Sequence, residues 1–117
     1  MTPDEAMERI DTLLSHVWMV RTFIKHSEEA EEDDDLRDVH RALYDYMLAL
    51  GGPKKANDSA AYLKLANKKL SKLRKATELF LDVQPEISTH TNFQMAAQSL
   101  DAAVRQVSAI LVEAKTL

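Results

Sequence analysis

Leu13-Leu-Ser-His-Val-Trp-Met-Val-Arg-Thr-Phe-Ile24 is the most apolar run in the chain. It is too long for an ordinary strand, and Ser15, His16, Arg21 and Thr22 break it, which rules out a membrane span. Read as a helix, it is apolar on nearly every side. A single surface helix has one apolar stripe, so this one demands cover from its neighbours.

Composition sets the frame around that run. A chain of 117 residues, 45% apolar and 29% charged, forms one domain with a substantial core. Two glycines and three prolines leave little material for the many turns of an all-β fold, so the chain is expected to be helical. The absence of cysteine removes disulfides, thiolate metal sites and thiol nucleophiles, and fits a cytoplasmic setting. Met1-Thr-Pro-Asp-Glu5 lacks the basic and apolar regions of a signal peptide. A net charge of −4 argues against general affinity for nucleic acid.

Outward from the central run, helix boundaries are written in capping residues. Thr2-Pro3-Asp4-Glu5 combines a cap, a proline at the first helical position and a capping box, so the first helix spans about 3–27. Ala6, Ile10, Leu13, Leu14, Val17, Val20 and Ile24 form its core face at about 100° per residue, with Arg21 set among them. Met19 and Phe23 make a second stripe opposite, flanked by His16 and His26. Glu28 to Asp35 carries seven acids in eight positions and reads as a solvated turn.

A second helix is expected over about 34–50, with a seam of Leu36, Val39, Leu43, Met47 and Leu50, stopped by Gly51-Gly52-Pro53. Being short, it would leave one end of the fold covered by linker 51–58 or open, and an open end would bare part of the first helix. A third helix, about 59–83, buries Tyr62, Ala66, Leu73 and Phe80 and ends at Gln84-Pro85. The fourth, about 92–115, starts at a capping box, Thr91-Asn-Phe-Gln94, and steps through Phe93, Ala97, Leu100, Val104, Val107 and Leu111. Four amphipathic segments with short connectors predict an all-α, antiparallel four-helix bundle in up-down-up-down order.

No motif for chemistry stands out. Di-iron bundles use Glu-x-x-His pairs, and none occurs here. The acidic run lacks the glycine and alternating ligands of a calcium loop, so no metal and no cofactor are expected. His40 is followed by Arg41, Ala42 and Leu43, unlike the exposed histidine of a phosphotransfer domain. Arg21-Thr-Phe-Ile-Lys-His26 fits the Arg-x4-His spacing of HEPN-type nucleases, but the two side chains lie about 140° apart around the helix.

Two function classes remain. The first is a non-enzymatic interaction or assembly module that forms homo-oligomers, most simply a dimer, through His16, Met19, Phe23 and His26 of the first helix. The second is a bundle that binds a small anion, or acts on it, using the core-facing cations Arg21 and Lys69 with His40, Tyr46 and Tyr62. A buried cation needs a carboxylate, a wet cavity or an anion, unless its head reaches solvent. From Lys54 to Lys75 the chain holds eight of its fifteen basic residues, with Lys64, Lys68, Lys72 and Lys75 on one face. That face lacks interleaved aromatics for stacking bases, so nucleic acid is not expected as a partner. The first class is preferred, because nothing resembling a nucleophile, metal cluster or phosphate loop is visible.

Overall fold

Thr2 opens the first helix as its capping residues dictate. Its side chain accepts from the Glu5 N–H at 3.1 Å while Glu5 reaches back to the Thr2 N–H at 3.3 Å. In the computed structural model, which describes residues 1–117, five helices and no strands follow. They are α1 (Pro3–Lys25), α2 (Glu28–Glu32), α3 (Asp34–Lys55), α4 (Ser59–Ile87) and α5 (Thr91–Ala114). No helix is long and apolar enough to cross a membrane.

Four boundaries differ from expectation. The acidic run is not a plain turn: Ser27 caps the short α2 by accepting from the Ala30 N–H, and buried Ala30 pins it to the core. Asp33 then caps α3, accepting from the Leu36 N–H at 2.9 Å. Gly51-Gly52-Pro53 does not end α3, because neither glycine takes a positive φ. Pro53 falls in the last turn, where its missing N–H forfeits only the bond to Ala49.

The stop is Asn57, in the left-handed region at φ 54°. Its N–H donates to the Lys54 carbonyl at 3.0 Å and that of Asp58 donates to the Pro53 carbonyl at 2.9 Å, the paired bonds of a Schellman ending. Asp58 then caps α4, its side chain accepting from the Ala61 N–H at 3.0 Å. Pro85 likewise lies inside the last turn of α4, and Ile87 beyond it packs on the core. At α5 the cap is His90 rather than Thr91, with its Nδ1 accepting from the Asn92 N–H at 3.0 Å.

The four long helices touch in a ring: α1 lies against α3 and α5, and α4 against α3 and α5, with α1 and α4 also meeting across the middle. The longest dimension, 42 Å, matches the 29 residues of α4 at about 1.5 Å each. One core joins all five helices, with Ile10, Leu43, Tyr62, Leu73, Phe80 and Leu100 fully buried. Because α3 reaches Lys55, the open end expected beside a shorter helix does not exist; Lys54 instead bridges Glu8 of α1 at 3.0 Å.

Candidate functional site

Arg21 lies half-buried at the α3-facing edge of the core of α1, and its guanidinium meets no carboxylate. It packs against two neighbouring rings, 4.8 Å from the Trp18 centroid and 4.7 Å from that of Tyr44. Trp18 is one helical turn before Arg21 on α1, and Tyr44 comes from α3, so the clamp ties the two helices. Such contacts contribute about 0.5–2 kcal/mol each. Against this, Arg21 Nε is buried without a hydrogen-bond acceptor, as is the neighbouring Thr22 Oγ1. An unmatched buried donor costs about 1–3 kcal/mol, so the clamp does little more than offset its own strain. Burial holds the half-buried His40 below the usual histidine range, and the charges of Arg21, Lys25, Arg41 and Arg37 add to the effect. Cations therefore gather at this level of the α1–α3 seam.

The other residues of the expected anion set lie elsewhere. Tyr46 donates to the Ala66 carbonyl at 2.9 Å, and Tyr62 donates to Asp11 Oδ1 at 3.2 Å. Burial raises both phenols well above the ordinary tyrosine range, so both remain protonated donors. Asp11 is ten residues from Arg21, about 15 Å along α1. Lys69 is half-buried and makes no ion pair. The structure thus brings Arg21 and His40 together, holds Tyr46 and Tyr62 in interhelical bonds, and gathers the five around no common cleft.

The expected interface set divides differently. Met19 is 68% exposed on the outer face of α1, with Trp18 at 45% beside it. Phe23 turns inward and packs edge-on against Phe93 of α5, ring centroids 4.9 Å apart. His16 is exposed and lies 3.4 Å from the Ser99 hydroxyl; exposed His26 closes α1 through its backbone N–H. Sequence reasoning missed the flanks. Tyr44 and Leu48 (63% exposed) extend the apolar band over α3, and Met95 (48% exposed) extends it over α5. Between Met19, Phe23, Met95 and Ala96 runs a groove of about 300 Å³. The Tyr44–Leu48 spacing was a readable signal for an exposed apolar stripe, whereas Met95 required knowing that α5 packs beside α1.

No cluster of three or more histidine, cysteine, aspartate or glutamate side chains is placed to hold a metal ion. No protein-family model, characterised protein or solved structure matches the chain.

Proposed function

We propose that the long helices form an up-down-up-down four-helix bundle acting as a non-enzymatic assembly module, which dimerises through the outer face of α1. Connectors of only three residues, Ala56–Asp58 and Ser88–His90, favour antiparallel neighbours. The observation that carries the functional reading is the continuous apolar band of Leu48, Tyr44, Trp18, Met19 and Met95 across three helices. Large apolar side chains exposed singly are ordinary, but a band of them marks an association surface.

A second copy is the occupant because an apolar band can cover itself, a two-fold axis near Met19 setting the band of each copy against that of the other. A two-fold contact of this kind is self-complementary by construction. Sedimentation over a concentration series tests the reading. At high salt, the wild-type chain is expected to grow heavier with concentration, while Met19→Glu stays monomeric with an unchanged helical circular dichroism signal. A strictly monomeric wild-type chain at high concentration overturns it.

A further inference from the structure

The outer face of α4 carries a second pattern that the α1 reading does not use. Lys64, Lys68, Lys72 and Lys75 fill its first half, and Glu78, Asp82 and Glu86 fill its second, all of them exposed. At about 100° per residue these seven side chains share one face, so the charge changes sign once, between Lys75 and Glu78.

Within a lone molecule this order is unfavourable. Lys64–Lys68, Lys68–Lys72, Glu78–Asp82 and Asp82–Glu86 are like-charge pairs at the four-residue spacing, where opposite charges would stabilise the helix. The polarity also opposes the helix dipole, which favours acids early and bases late. None of the seven forms an ion pair; those present are Arg37–Asp34, Lys54–Glu8 and Arg105–Asp101. Alternating the same residues would make every pair favourable, so segregation is the feature that needs a cause.

We infer that the outer face of α4 is a second docking surface whose partner is α4 of another copy, packed antiparallel. A two-fold axis between Lys75 and Glu78 sets Lys75 opposite the other copy's Glu78, Lys72 beside its Asp82 and Lys68 beside its Glu86. The axis repeats each pairing. A parallel arrangement sets like charges against each other along the whole length, so the pattern selects direction as well as partner. The face is polar, with Asn67 and Ser71 between the lysines, and its contact is electrostatic where that of α1 is apolar. With one two-fold face on α1 and another on α4, copies join alternately into chains rather than closing at a dimer.

The two contacts separate by salt. In a Met19→Glu chain, which lacks the α1 contact, dimers at about 0.05 M NaCl are expected to weaken about tenfold at about 0.5 M, because exposed charge pairs are screened. That measurement alters no residue of α4. Lys68→Glu/Lys72→Glu in the same background makes the face acidic, and Asp82→Lys/Glu86→Lys makes it basic; each alone is expected to remain monomeric. Mixed in equal amounts, they are expected to form a heterodimer at low salt. A Met19→Glu chain that is monomeric at low salt, or a mixture that fails to associate, overturns the α4 contact. Failure of the α1 reading shows separately, as indifference of wild-type association to Met19→Glu.

Discussion

At Arg21, two aromatic faces do what a carboxylate does for most half-buried cations, and two consequences follow. Replacement by methionine keeps the stem's packing and removes both the cation–π contacts and the unmatched Nε donor. These effects oppose one another, so Arg21→Met is expected to change unfolding free energy by less than about 1 kcal/mol. The same substitution removes a positive charge acting on His40, and its imidazole is expected to titrate closer to the ordinary histidine value, read by NMR. Because the folded state holds His40 below its unfolded value, the unfolded chain takes up that proton first on acidification. The contribution of neutral His40 is complete above the ordinary histidine range and is lost as pH falls through the depressed folded value. His40→Gln is expected to flatten this part of the pH–stability curve, measured by denaturant midpoints. Arg21 was legible as an anomaly because it broke the apolar face of α1. Its solution was half legible, since Trp18 lies a turn away, while Tyr44 depends on the packing of α3.

Helix starts and stops show where local chemistry was enough and where it was not. The box at Thr2 and Glu5 was readable because all its partners lie within four residues. Gly51-Gly52-Pro53 misled because glycine is a stop signal only when it takes a positive φ, and that depends on where the chain must go next. Both glycines are helical, and a methyl group on either meets nothing within 4 Å. Gly51→Ala and Gly52→Ala are therefore each expected to stabilise the protein by about 0.5–1 kcal/mol, seen as raised thermal midpoints. At α5 the capping-box pattern beginning at Thr91 is not used: His90 caps instead by accepting from the Asn92 N–H, and Gln94 donates to the Thr89 carbonyl.

For the whole molecule, the period of the apolar residues was decisive. All but one of the seven residues assigned to the core face of α1 are buried, and Leu13 packs at its margin; fully buried Met7 was missed. What periodicity leaves out is register between helices. It placed Phe23 on a second stripe facing either its own chain or a partner, and Phe93 packs on it, because the relative height of α1 and α5 is set by packing that no single stretch encodes. The same core supports a stability prediction. Phe80 is fully buried, and Phe80→Ala is expected to cost about 3–5 kcal/mol, measured by denaturant unfolding. That is a large part of the roughly 5–15 kcal/mol that holds a domain together.

Asp58 has a wider meaning than either of its bonds. Its N–H completes the ending of α3, while its side chain and its carbonyl hold the start of α4 by accepting from Ala61 and Tyr62. One residue is thus both the last rivet of one rod and the first of the next. As the chain leaves the ribosome, the ending of the first rod can close once this aspartate emerges and the start of the second only four residues later, so the knee between them is set within about one turn of new chain.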